Sequence, residues 1–365
     1  MIHSDEPDMD RLPAQPRPAE TAPEAQESRE HVRGAAPADA TRGVVRKVML
    51  GTVLGALVLA ALAFYADAQQ LRQALVSLDV RYFALALVLA TSNYALRFLR
   101  WQYYLRAVDV HIPVARSARV FVSGFVMSVT PGKLGEVFKS MLLFESDGVP
   151  LARTAPIVLA ERITDLIALV TLAALGSLAF PEATAAALLG ALTVIALLAM
   201  VGIRPVGNFA LSLGARLPLV RRAVPPAREA LESLRTMLRP AALLTTSVLS
   251  MISWSLECAA LFALVHGFPD HTITPLAAAF SYAAPTIVGA LAMLPGGVGL
   301  TEAGMTGALL QVGGATMTRG SAGAITILIR LATLWWAVLL GLVALFAFRR
   351  HDVPNALATQ KPATT

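Results

Sequence analysis

Six apolar runs, each about as long as a bilayer is thick, constrain this chain more than any other feature: Val48 to Ala66, Tyr82 to Leu99, Ala155 to Phe180, Ala183 to Ile203, Ala241 to Val265 and Ala322 to Phe348. About 20 residues of helix cross the ~30 Å hydrocarbon layer, and in that layer a helix satisfies its own backbone hydrogen bonds. One water-soluble core cannot absorb six such runs. With 56% hydrophobic and 15% charged residues over 365 positions, too little polar surface remains to cover them. The sequence predicts an all-α polytopic membrane protein.

Residues 1–47 differ in kind. They hold six prolines, nine acidic and seven basic residues without aliphatic periodicity, the composition of a disordered tail. The first apolar run follows Arg46 and Lys47 and stays apolar for a full span, which predicts a signal anchor rather than a cleaved signal peptide. Basic residues then mark alternate ends of the spans: Arg42, Arg46 and Lys47; Arg100, Arg106, Arg116 and Arg119; seven arginines from Arg204 to Arg239; Arg349 and Arg350. The positive-inside rule predicts that these loops, both termini and the tail 349–365 are cytoplasmic.

Two further apolar segments are broken by "TPGKLGE" (Thr130 to Glu136) and "LPGGVGLTE" (Leu294 to Glu302). Val120 to Thr130 and Lys133 to Phe144 are each shorter than a crossing helix, which suits a re-entrant hairpin. The second break reads the same way, although Thr274 to Leu294 is long enough to span. The halves align: "VLATSNYALRF" from Val88 resembles "VLSMISWSLEC" from Val248 at an offset of 160, the PGxxG pairs follow at 164, and "IVLAERITDLIAL" from Ile157 resembles "ITILIRLATLWWA" from Ile325 at 168. Repeat one covers 48–180 and repeat two 183–348. Three crossings per repeat is an odd number, so the second copy is expected upside down, with the hairpins entering from opposite faces.

Broken helices at matching places in inverted halves point to a transport site, because they expose backbone groups at membrane depth. The candidate substrate-binding residues are therefore Pro131, Gly132, Gly135 and Glu136 in the first break, and Pro295, Gly296, Gly297, Gly299 and Glu302 in the second. Intramembrane polar residues join them: Asn93, Arg97, Lys139, Glu161, Arg162 and Arg330. A lipid phosphate needs the cations; an aminoacyl head group needs the carboxylates. Buried ion pairs fixing helix register are the alternative, above all for Asp165, which lies three residues after Arg162, and for Glu257.

Several classes lack support. Cys258 is the sole cysteine, so neither an intramolecular disulfide nor a thiolate zinc site forms. HExxH, GxSxG and GxxxxGK[ST] motifs are missing, no cofactor is implied, and no aromatic-interleaved basic module suggests nucleic acid. The arginines from Arg204 to Arg239 fit an amphipathic surface helix on anionic lipid.

At "NYALRFLRW", "TPGKLGEVFKSMLL", "ERITDL", "LPGGVGLTEAG" and "ILIRLATLWW" the chain resembles the lysylphosphatidylglycerol synthase transmembrane region family, also called flippase-like domain or UPF0104 proteins, over about residues 45 to 348. The resemblance implies translocation of a phospholipid between leaflets, aminoacylated phosphatidylglycerol among the candidates. Hopanoid and polyprenyl-linked sugar lipids are associated with relatives. The family's soluble synthetic domain has no counterpart in the fifteen residues after Arg350, so synthesis is expected from a separate partner. The competing expectations are a membrane glycosyltransferase using Glu161 or Asp165 as base, and an accessory subunit of a lipid-modifying pathway.

Overall fold

The computed structural model describes residues 68–129, 137–178, 184–216 and 237–359, together with Arg228, Leu231, Glu232, Leu234 and Arg235. The expected anchor Val48 to Ala66 and the first break, Thr130 to Glu136, lie outside the described residues. Among those described, every regular element is helical. The α-helices are α1 (Ala68–Ser77), α2 (Val80–Ala107), α3 (Val114–Ser123), α4 (Phe138–Asp147), α5 (Leu151–Ser177), α6 (Thr184–Gly202), α7 (Arg204–Arg216), α8 (Pro240–His266), α9 (Pro275–Leu291), α10 (Leu300–Val312), α11 (Arg319–Arg330) and α12 (Trp336–Thr359). A 3₁₀ segment, Gly124–Val129, extends α3, and a π-helical segment, Leu331–Trp335, joins α11 to α12.

Local chemistry sets several ends. The Asp79 carboxylate accepts the Arg81 N–H at 3.0 Å to start α2, and the Thr274 hydroxyl accepts the Ala277 N–H at 3.1 Å ahead of Pro275 to start α9. At α11, Thr318 and Ser321 exchange hydrogen bonds in a capping box.

Among the described residues, three helical stretches are long and apolar enough to cross a membrane: Val80–Ala107, Pro240–His266 and the continuous run Arg319–His351. A fourth is added if Leu188–Met200 and Arg204–Arg216, bent by 101°, form one broken span. Helix α5 has 27 residues, about 40 Å of helix, yet carries Glu161, Arg162 and Asp165 in its middle. Apolar side chains point outward on several helices: Val88, Leu188, Leu189, Ile195, Leu244, Leu342 and Phe346 are exposed. Polar ones point inward, with Asn93, Arg100, Lys139, Glu161, Asp165 and Glu302 buried. This distribution suits a chain solvated by lipid.

Helices α2 and α8 form the centre. Asn93 donates to the Ser253 carbonyl at 2.7 Å, Arg100 to the Ser250 hydroxyl, and Tyr104 to the Thr246 hydroxyl at 3.1 Å. As the α2 position rises, its α8 partner falls, so the two helices run antiparallel. Asn93 and Ser253 are themselves 160 apart, the offset at which the halves align. Three further contacts come in exchanged pairs: α5 packs on α9 as α12 packs on α3 and its 3₁₀ extension, α9 on α10 as α3 on α4, and α10 on α11 as α4 on α5. Glycines permit both cross-half contacts. A Cβ at Gly176 of α5 would come within 2.6 Å of the Phe280 nitrogen of α9, and one at Gly341 of α12 within 2.6 Å of the Val126 nitrogen.

One flank charge is reassigned. Arg100 was expected in a cytoplasmic loop after a span ending at Leu99. Helix α2 instead continues to Ala107, because Trp101, Tyr104 and Leu105 keep its inner face apolar, and Arg100 is 1% exposed within it.

Candidate functional site

The second break shows why a chain this apolar carries proline and glycine. Between α9 and α10, Met293, Gly296, Gly297 and Gly299 all adopt positive φ, from 54° to 96°, a conformation that glycine enters without steric cost. Short bonds from Gly297 N–H to Leu294 O and from Val298 N–H to Pro295 O, both 3.0 Å, close the turn. The Gly296 carbonyl is left facing α11, where Arg330 Nη2 donates to it at 2.7 Å. Arg330 Nε donates to Glu302 Oε1 at 2.7 Å, and Glu302 Oε2 accepts the Gly299 N–H at 2.6 Å, capping α10. One carboxylate thus ties the loop, the start of α10 and the end of α11 together. The π-helical segment begins at the next residue, and π-bulges of this kind interrupt helices mostly where function needs a shifted register.

Next to this loop lies a cavity of about 260 Å³, bounded by α5, α8, α9, the loop and the α11–π junction. Arg162 and Arg330 both line it, and they are the two arginines matched at the 168 offset. Asp165, Trp254, Thr286, Thr301, Gly296 and Gly297 contribute further polar or backbone surface, and aliphatic side chains, Leu166, Leu169 and Leu334 among them, line the rest. The wall therefore offers two guanidiniums against one carboxylate. Asp165 is shared: Arg100 Nη1 reaches its Oδ1 at 2.6 Å and Arg162 Nη2 its Oδ2 at 3.1 Å.

A second ion pair holds the other half. Lys139 Nζ of α4 meets Glu161 Oε2 of α5 at 2.7 Å, with both side chains at most 2% exposed. The ammonium also sits 4.7 Å from the Trp101 ring centroid and 5.2 Å from that of Phe121. Such stacking stabilises a buried cation by about 1–2 kcal/mol.

The sequence-predicted residues separate into groups. Arg162, Gly296, Gly297 and Arg330 are brought together on the cavity wall. Gly299 and Glu302 stand directly behind it through the bonds above, and Pro295 shapes the turn. Arg97 faces a neighbouring, smaller cavity. Asn93 joins α2 to α8, and Lys139 and Glu161 join α4 to α5; none of these three lines the cavity. Pro131, Gly132, Gly135 and Glu136 lie outside the described residues. Sequence reasoning missed Arg100, Tyr94, Tyr282 and Thr286, and it gave Asp165 and Glu257 register pairing as the alternative role, with Asp165 also a candidate base. A signal existed for the last two, since both sit in the aligned segments beside Arg162 and Trp254.

Comparison with known proteins identifies the family. The family model described as lysylphosphatidylglycerol synthase TM region matches residues 48–341. The UPF0104 membrane protein PH1989 of Pyrococcus horikoshii is 23% identical over 338 residues, covering 85% of this chain and 100% of the relative.

Proposed function

Because this chain belongs to the lysylphosphatidylglycerol synthase TM region family, we propose that it is a lipid translocase, moving a phospholipid with an anionic head group between the leaflets of a bacterial inner membrane. The observation that carries this reading is the convergence of Arg162 and Arg330, equivalent residues of the two halves, on one cavity beside the Gly296–Gly297 backbone. Guanidiniums clamp a phosphate through paired N–H donors, and paired guanidiniums in an apolar enclosure select anions over neutral groups. At about 260 Å³ the cavity suits a phosphate and a small head group, with acyl chains left in the surrounding lipid.

The finer architecture belongs to the same proposal. Six spans, two re-entrant hairpins and an inverted repeat account for the antiparallel α2–α8 pairing, for Asn93 meeting its own equivalent, Ser253, and for the exchanged packings. A parallel repeat sets equivalent helices parallel, contrary to α2 and α8. In this reading each hairpin faces one side of the membrane and both termini are cytoplasmic. A head-group phosphate competes with Asp165 for Arg162 and with Glu302 and the Gly296 carbonyl for Arg330. Occupancy thereby loosens the tie between the loop and α11.

Chemistry on the lipid is not part of this reading. The two residues considered as bases, Glu161 and Asp165, both accept from buried cations, Lys139 and Arg100. A separate synthase is the proposed source of any modified lipid. The test is purified protein in liposomes carrying labelled phosphatidylglycerol: we expect label to exchange between leaflets faster than in empty liposomes, with lipid mass unchanged. Altered lipid mass without faster exchange establishes an enzyme instead.

A further inference from the structure

Beside the head-group cavity lies a second one of about 50 Å³, too small for a head group and large enough for water. Arg97 of α2 and Glu257 of α8 both line it, at positions 160 apart, so the two halves place opposite charges at equivalent sites. The Tyr282 hydroxyl of α9 donates to Glu257 Oε2. Trp254, Thr286, Arg330 and Leu334 belong to the walls of both cavities. A carboxylate in the interior of a membrane helix, hydrogen-bonded to a phenol and separated from the anion site by shared walls, has no part in the clamp described above.

We propose that Glu257 is a proton-binding site, and that its protonation is coupled to anion occupancy of the adjacent cavity. A hard metal cation is a poor alternative, since it requires about six oxygen ligands and would lie against Arg97 and Arg330. The groups facing Glu257 are Tyr94 and Arg97 from α2, Tyr282 from α9 and Arg330 from α11, with Arg162 and Asp165 of α5 across the shared wall. An anion arriving between Arg162 and Arg330 adds negative charge near Glu257 and favours its neutral form. Reciprocally, a proton on Glu257 removes a negative charge facing the anion and tightens its binding. The proton and anion therefore load together, and the pair adds no net charge to the buried site. The coupling rests on the anion-binding reading of the larger cavity; the proton site itself does not.

Two measurements on full-length protein in nanodiscs separate these layers. In an infrared titration, the wild type should show a buried carboxylic acid band that grows on acidification and disappears in Glu257→Gln. Tyr282→Phe, which keeps the ring and the fold, should shift that band. Absence of the band in the wild type, or its persistence unshifted in Glu257→Gln, overturns the proposal. Affinity for short-chain phosphatidylglycerol, a phosphodiester of constant charge, should rise by up to about tenfold per pH unit on acidification through the Glu257 titration, and Glu257→Gln should flatten that slope. A wild-type slope of zero, with binding intact, refutes the coupling. A titrating Glu257 band without any phosphatidylglycerol binding supports the proton site and refutes the lipid reading.

Discussion

In the first half the short limb supplies the cation, Lys139, and the long helix the carboxylate, Glu161; in the second half the limb supplies Glu302 and the long helix supplies Arg330. The N···O distance is 2.7 Å in both, and all four side chains are nearly or fully buried. Each half thus needs one ionic tie between its broken segment and the helix that follows, while the polarity of that tie is free to reverse. Their surroundings differ more than their geometry. Lys139 is sealed by Trp101 and Phe121, away from either cavity, whereas Arg330 lines both cavities and also holds the Gly296 carbonyl. On the proposed reading, the first tie is structural. The other is built where a ligand can compete for it.

The sharpest way to break the comparison is topological, because the outcome is all or none. In a Cys258→Ala background, cysteines at Pro150 and Ala315, exposed positions after the broken segments of each half, should react with an impermeant thiol reagent from opposite sides, the first cytoplasmic and the second periplasmic. Reaction of both from one side ends the inverted relation.

Next in size are the ties themselves. Lys139→Met strands Glu161, and Glu302→Gln strands Arg330, so each should cost about 3–5 kcal/mol of stability, read as a fall in melting temperature. The double variant Lys139→Met/Glu161→Gln should recover most of that loss. A matching double, Glu302→Gln/Arg330→Gln, should recover stability yet lose lipid movement, since it removes a clamp residue. Equal activity in both double variants would contradict the division into a structural and a functional tie. The smallest effect is expected at the rim: Arg116 and Asp147, joined at 2.5 Å but partly exposed, should give under about 1 kcal/mol on Arg116→Ala, because solvent screens such pairs.

The sequence exposed the parts of this fold that depend on residue type. Apolar runs located α2, α8 and α12, and the offsets of 160 and 168 paired Asn93 with Ser253 and Arg162 with Arg330 before either contact or shared cavity was visible. What stayed hidden depends on backbone geometry. The π-helical shift after Arg330 leaves no mark in composition, because Leu331–Trp335 is apolar like its neighbours. Arg100 looked like the end of a span, since a charge after Leu99 is ordinarily a boundary; only the packing against α5 and α8 supplies Asp165 and Ser250 as partners. Glu257 sits in an aligned segment at the position that matches Arg97, but its place on a wall shared with Arg330 is set by packing rather than by residue type.

The central claim is that two equivalent arginines from opposite halves serve one anionic head group. Exchange of labelled phosphatidylglycerol between leaflets, normalised to folded protein, tests it most directly in Arg162→Gln, Arg330→Gln and the double variant. Losing one charge-assisted contact of about 1.5–3 kcal/mol corresponds to roughly a 10- to 100-fold slower exchange in each single variant. The double should be no faster than empty liposomes. Wild-type exchange in the double variant, at unchanged fold, would contradict the account.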